Sequence, residues 1–211
     1  MSRCGLVAVL GAPNAGKSTL VNALVGQKVA IVSPKAQTTR ARLMGIALQG
    51  DAQILLVDTP GIFTPNRRLD RAMVRAAWEG AEDGDRVVLV IDAAAKLGGK
   101  VEQMIEGVEA GSEPCILVLN KVDIARKDDL LVLAATLSER LKPEAVFMVS
   151  ATTGDGVEEL KARLAAAMPE GPWHFPEDQL TDVTDRMVAA ELTREQLYHQ
   201  LHAELPYASA V

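Results

Sequence analysis

The sequence predicts an α/β fold: a six-stranded, mostly parallel sheet with one antiparallel edge strand, helices on both faces and a helical appendage at the carboxyl end. Three observations carry this expectation. Short, continuously apolar runs alternate with longer amphipathic stretches, the pattern of a parallel sheet covered on both faces. A glycine-rich turn joins the first apolar run to the first helical stretch. Two further runs lie too close together for a crossover and must pair as a hairpin.

The first strand, near 5–10, contains Leu6-Val7-Ala8-Val9-Leu10, an unbroken apolar run of buried-strand type. A helix near 17–25 follows, and Gly26 stops it. Strands near 43–49 and 53–58 flank a tight turn at Gly50-Asp51, which makes one edge antiparallel. Helices near 69–80, 100–110, 128–141 and 156–167 then alternate with strands near 86–92, 115–120 and 145–150. Proline and glycine cluster in Met168-Pro169-Glu170-Gly171-Pro172 and mark a boundary. The expected organisation is a domain over 1–168, a linker over 169–180 and a last segment over 181–211. In that segment Thr181 or Asp182 caps a helix running to about Leu205, with Leu197, Leu201 and Leu205 as its apolar stripe. Pro206 to Val211 reads as a turn and a strand that stops as it begins. A helix and a strand stub cannot bury an apolar face alone. Either the helix docks on the first domain or the chain is incomplete.

The glycine-rich turn, Gly11 to Ser18, reads GAPNAGKS and fits G-x-x-x-x-G-K-[ST]. Chance alone yields such a string in roughly one chain of this length in a hundred. Its place between a strand and a helix gives it weight. Gly11, Ala12, Pro13, Asn14, Ala15 and Gly16 should wrap a phosphate chain, with the two glycines permitting the turn. The helix start adds the positive end of its dipole. Lys17 should reach the β and γ phosphates, Ser18 should ligate Mg²⁺, and Thr19 completes the contact set.

Asn120 to Asp123 reads NKVD and follows the apolar strand Cys115-Ile116-Leu117-Val118-Leu119. A carboxylate at Asp123 accepts from guanine N1–H and the 2-amino group, donors that adenine lacks. Such sites discriminate by up to ~10⁴-fold, because a wrong base leaves a buried carboxylate unpaired. Asn120 should tie this loop to the phosphate loop, the stem of Lys121 should lie along the base, and Val122 completes the loop. A backbone N–H at Ser150-Ala151 should donate to guanine O6. The expected ligand is therefore GTP or GDP.

Between these strings lies Asp58-Thr59-Pro60-Gly61, closing the strand Ile54 to Val57. Asp58 should hold Mg²⁺ through a water. The Gly61 N–H should bond the γ phosphate and move when that phosphate leaves. Thr59, Pro60 and Ile62 share this loop. In Gln37-Thr38-Thr39-Arg40, Thr39 is preferred to Thr38 as a further Mg²⁺ ligand, completing the metal set Ser18, Thr39 and Asp58. Lys17, Thr39 and Gly61 form the catalytic set. They act by positioning and charge, without a side-chain general base. Ile62 stands where many small GTPases orient water with glutamine, so unaided turnover should be slow, of order 10⁻⁴ s⁻¹. A partner acting in trans, or a K⁺ ion held partly by Asn14, would compensate.

Composition agrees with one full domain plus an appendage: 211 residues, 48% hydrophobic, net charge −6. The acidic balance argues against nonspecific nucleic-acid affinity for the chain as a whole. Cys4 and Cys115 are expected to be buried thiols in a reducing compartment rather than a disulfide. No apolar run is long enough to span a bilayer, no signal peptide is evident, and a monomer is expected.

The order GAPNAGKST, QTTR, DTPGI, NKVD and VSA resembles the translation-factor-like GTPases of the Era and MnmE type. HFPED at His174 to Asp178, Thr181-Asp182 and AELPY at Ala203 to Tyr207 narrow the resemblance to the Era family, over essentially the whole chain. That resemblance implies a cytoplasmic GTPase that matures the 30S ribosomal subunit, binds 16S rRNA near its 3′ end and associates loosely with the inner membrane. It also implies a carboxyl-terminal KH domain with a GxxG clamp for single-stranded RNA. Only the opening helix and strand stub of that domain are expected here, and no GxxG follows.

The remaining features are weaker. Arg68, Arg71 and Arg75 share a helical face near Arg67, and with Lys35, Arg40 and Arg42 they form either a switch-dependent RNA contact or a solvated basic face. His199 and His202 lie three apart but lack further ligands. Trp78 is expected in the core, and Trp173 and Phe175 against the first domain. An alternative function is a guanine-nucleotide sensor with negligible turnover. A third is an Era-like GTPase acting on tRNA modification or membrane events.

Overall fold

Cys115 to Asn120 is buried at every position, as a strand must be when helices cover both of its faces. A computed structural model of the chain describes residues 1–30, 32, 43–58, 85–110 and 115–200. Among them six strands form one sheet in the order β2-β3-β1-β4-β5-β6. The strands are β1 (Arg3–Gly11), β2 (Leu43–Gln49), β3 (Ala52–Asp58), β4 (Arg86–Asp92), β5 (Cys115–Asn120) and β6 (Ala145–Val149). Only β2 runs antiparallel, paired with β3 from Leu43↔Asp58 to Gln49↔Ala52 around the turn at Gly50, where φ is 59°. The fold class expected from the sequence is the one found. The described helices are α1 (Lys17–Val25), α2 (Gly99–Ala110), α3 (Lys127–Leu141), α4 (Val157–Ala167) and α5 (Asp185–Gln200). The helix expected near 69–80 lies outside the described residues, as do Trp78 and the arginines around it.

Strand alternation divides the core in two. Val7 and Val9, Ile54 and Leu56, and Ile116 and Val118 face α1 and α4, meeting Leu20, Leu24, Leu160 and Leu164. Ala8 and Leu10, Leu89 and Ile91, and Leu117 and Leu119 face α2 and α3, meeting Met104, Ile105 and Leu137. Each fully buried Leu or Ile contributes about 1.5–3 kcal/mol, which holds the sheet rigid beneath its loops. Cys4 and Cys115 are buried free thiols, in agreement with the sequence.

After α4 the chain returns along the opposite end of the sheet. Cys4 N–H donates to Pro169 O at 3.1 Å, and Trp173 and Phe175 pack with Cys4, Ile46 and Leu55. Gln53, wholly buried in β3, fastens this return: its Oε1 accepts the N–H groups of His174 (2.9 Å) and Phe175 (3.1 Å), and its Nε2 donates to Phe175 O (2.9 Å). The chain then pairs with the outer edge of β2, through Ile46 N–H to Leu180 O (2.8 Å) and Met44 N–H to Asp182 Oδ1 (3.1 Å).

That pairing corrects the expected helix cap. Thr181 bridges Gly45 and Asp182 serves Met44, so both stay outside the helix. The helix begins three residues later than Asp182, at Asp185, and Thr184 caps it with its Oγ1 accepting Met187 N–H at 3.4 Å. α5 docks on the first domain through Glu195. This carboxylate is 2% exposed, accepts Val32 N–H at 3.0 Å and forms an ion pair with Lys28. The side chains of Leu197 and His199, and the whole of 201–211, lie outside the described residues.

Candidate nucleotide site

Parallel strands put their carboxyl ends on one edge of a sheet, where α/β folds bind ligands. Here that edge aligns Val9 with Asp58, Gly11 with Val90, and Asp92 with Asn120 and Val149 across adjacent strands. Loops far apart in sequence therefore converge, as where Asn120 meets Ala15 across 105 positions.

The phosphate loop turns between β1 and α1. Gly16, at φ 92°, occupies the left-handed region, and a Cβ there would run into the Asn120 amide. Gly11 is equally confined, since a Cβ would lie 2.7 Å from Val90 O. Ala12 and Pro13 are half-buried, Ala15 is buried and Asn14 is exposed at φ 65°. Lys17 folds back into the loop, its Nζ donating to Gly11 O and Ala12 O, both at 3.1 Å. Burial pushes the Lys17 ammonium below its usual range, and nearby Asp58 only partly offsets this. Among the described residues this buried ammonium is hydrogen-bonded only to carbonyls, so it lacks a full counter-charge, which the phosphates of a bound nucleotide would supply.

Ser18 Oγ donates to Asp58 Oδ2 at 2.6 Å, and Asp58 is completely buried. A hydroxyl and a carboxylate side by side form a hard-oxygen pair that suits Mg²⁺. Thr19 is half-buried at the first turn of α1. Thr39, Thr59, Pro60, Gly61 and Ile62 lie outside the described residues.

Asn120 links all three loops. Its Nδ2 donates to Ala15 O at 2.9 Å and its Oδ1 accepts Ala151 N–H at 3.1 Å, with the side chain 2% exposed. Lys121, at φ 66°, sends its Nζ to Asn14 O (2.7 Å) and to Asp92 Oδ2 (2.6 Å). Val122 N–H donates to Val149 O at 3.2 Å. Asp123 is exposed, not buried, and its carboxylate makes no hydrogen bond or ion pair among the described residues. For Asp123 to read guanine as expected, the bound base itself would have to supply the cover that makes an unpaired carboxylate costly. Ser150 N–H is committed to Asp155 O (2.9 Å) and Ala151 N–H to Asn120. Guanine O6 would thus share the Ala151 donor with Asn120, a restriction the sequence does not reveal.

Asp92 is not among the residues that the sequence motifs single out. Its signal is nevertheless there: Val-Ile-Asp ends β4 as Leu-Val-Asp ends β3, a carboxylate closing an apolar strand at the ligand edge.

The profile of a family described as "50S ribosome-binding GTPase" matches residues 6–121, from the first strand through Lys121. The GTPase Era of Erythrobacter litoralis is 61% identical over 215 residues, spanning 100% of this chain and 71% of that protein. A crystal structure of Era in complex with MgGDPNP and nucleotides 1506–1542 of 16S ribosomal RNA superposes with a TM-score of 0.90 at 36% identity, covering 98% of this chain and 70% of that one. A single-residue variant of Aquifex aeolicus Era bound to GDP·AlF4⁻ gives 0.88 at 36% identity, covering 97% and 70%. The likeness includes the carboxyl-terminal return and α5 as well as the nucleotide edge, and on that breadth the chain belongs to the Era family of GTPases, switches that bind GTP and hydrolyse it.

Proposed function

We propose that this GTPase acts in maturation of the small ribosomal subunit, contacting 16S rRNA in its GTP state. The observation that supports this most is the 98% coverage of the chain by an Era bound to a 16S rRNA fragment. The family profile names the large subunit but spans only 6–121, the nucleotide-binding core. The RNA-bound relative matches the carboxyl-terminal return as well, so the small subunit is the preferred target.

In the proposed cycle the loop Gly11 to Gly16 wraps the phosphates and Lys17 neutralises the transferring group. Ser18 and Asp58, with Thr39, would hold Mg²⁺, which stabilises charge on the phosphate oxygens. Ile62 cannot orient water, so turnover is slow without an activator. K⁺ beside Asn14 is one such activator. The Asn14 side chain makes no hydrogen bond among the described residues, which leaves its amide oxygen available. Equal turnover in Na⁺ and K⁺ would sink this part of the reading. The proposed location is cytoplasmic, with loose attachment to the inner membrane.

Co-sedimentation with 30S and 50S subunits, each with GDPNP and with GDP, tests the main reading. Binding to 30S with GDPNP alone is the expected result. Binding to 50S alone, or nucleotide-independent binding to 30S, would overturn it.

A further inference from the structure

We propose that Asp92 is a positioning residue for guanine-nucleotide binding, acting through Lys121 to lock the base loop onto the phosphate loop. The proposal concerns nucleotide grip alone and does not depend on the ribosomal reading.

Asp92 ends β4 directly beside Asn120, its register partner on β5. Its two carboxylate oxygens do different work. Oδ1 accepts Ala94 N–H at 3.0 Å and shapes the turn after β4. Oδ2 accepts from Lys121 Nζ at 2.6 Å, an ion pair with the two side chains 22% and 30% exposed. The same ammonium donates to Asn14 O at 2.7 Å. Both Lys121 (φ 66°) and Asn14 (φ 65°) hold left-handed backbone conformations that non-glycine residues rarely adopt. Such conformations persist only where the surroundings over-determine them. The bond between them ties two strained turns together, one in each ligand loop.

A lysine side chain is flexible, and its ammonium would rather face water than a lone carbonyl. Asp92 supplies the charge that keeps Lys121 aimed across the gap. Asn120 makes the buried link between the same loops through Ala15 O. The Asp92–Lys121–Asn14 chain is a second, partly exposed link on the outer side. It joins the base loop to the phosphate loop through Asn14 O, parts of the site that GTP and GDP share. Its removal should therefore loosen both nucleotides alike.

A double-mutant cycle on the full chain tests this, read by dissociation of fluorescent GDP and a fluorescent non-hydrolysable GTP analogue. Asp92→Ala is expected to speed release of both by about tenfold, the scale of one partly exposed charge-assisted hydrogen bond. In a Lys121→Met background, which keeps the stem but not the ammonium, Asp92→Ala should add less than twofold. A tenfold effect that persists in that background would show that Asp92 acts only through the Ala94 turn, and would overturn the proposal. So would faster release of the GTP analogue alone. Asp92→Asn keeps an acceptor for Ala94 N–H and removes only the charge. It serves in the same cycle should the alanine variant fail to fold, and wild-type release rates for Asp92→Asn would equally refute the role given to the charge.

Discussion

Asn120 and Gln53 are two buried amides on one sheet, at opposite ends of it. Asn120 stands at the carboxyl edge and cross-links the phosphate loop to the base loops through Ala15 O and Ala151 N–H. Gln53 stands at the other edge, level with Cys4, and cross-links β3 to the returning chain through His174 and Phe175. The chemistry is the same: an amide donates and accepts at once, so one side chain satisfies two segments that pass each other. What differs is the segment held. At one end it is a ligand loop, so the amide governs function. At the other it is a structural tail, so the amide governs stability.

The largest expected effect separates these roles most sharply. Asn120→Ala leaves Ala15 O and Ala151 N–H unpaired, at about 1–3 kcal/mol for each buried group. GDP affinity measured by titration calorimetry should fall about a hundredfold. An affinity within threefold of wild type would mean that the link is dispensable. Gln53→Leu should do the reverse. Losing the bonds to His174 and Phe175 is expected to cost about 2 kcal/mol and lower Tm by roughly 5 °C, while GDP affinity stays within twofold. A matching loss of affinity would break the comparison, because it would show that the tail reports to the nucleotide edge.

Glu195 sharpens the same question at smaller scale. It joins α5 to Lys28 and Val32 near the start of the segment between α1 and β2. Glu195→Gln keeps an acceptor for Val32 N–H and loses the ion pair with half-exposed Lys28. About 1 kcal/mol of stability should disappear in urea unfolding, more at low salt than at high. No salt dependence would mean that the ion pair contributes nothing.

The smallest effect concerns β5, which runs from Cys115 at the structural edge to Asn120 at the ligand edge. Burial pushes the Cys115 thiol up to about 12 from 9, outweighing the Leu89 backbone hydrogen bond that lowers it. The raised folded-state value means that stability from this group is complete below pH 9. It declines as the pH rises toward 12, because the unfolded thiol ionises first. The decline stays below about 1 kcal/mol up to pH 9.5. Unfolding curves of wild type and Cys115→Ala should converge above pH 9. A constant gap between them would contradict the assignment.

Most of this architecture was legible because the strands are buried on both faces. Val87 to Ile91 and Cys115 to Leu119 need no alternation, so their apolar runs end where the strands end. The phosphate loop and NKVD were legible because their backbone demands are local: a left-handed glycine before a lysine that begins a helix, and a left-handed turn directly after an apolar strand. Gln53 was not legible. Within Ala-Gln-Ile-Leu-Leu-Val-Asp it is an isolated polar residue, and only the returning tail explains it. Thr184 does not stand out as a cap, because Thr181 and Asp182 suit that role equally well until pairing with β2 uses them. Asp92 looks like an ordinary strand end until Lys121 reaches it.

The sequence by itself determined the order of the described strands and helices and which loops lie at the ligand edge. Each depends on residue type and short-range spacing. Tertiary structure decided which polar groups remain available once the chain is folded. Ala151 N–H is already engaged by Asn120, Lys17 is held by its own loop, and Lys121 is shared between Asn14 and Asp92. Hydrogen-bond partners distant in sequence meet only when the sheet brings its edge together, and no local pattern can record that meeting.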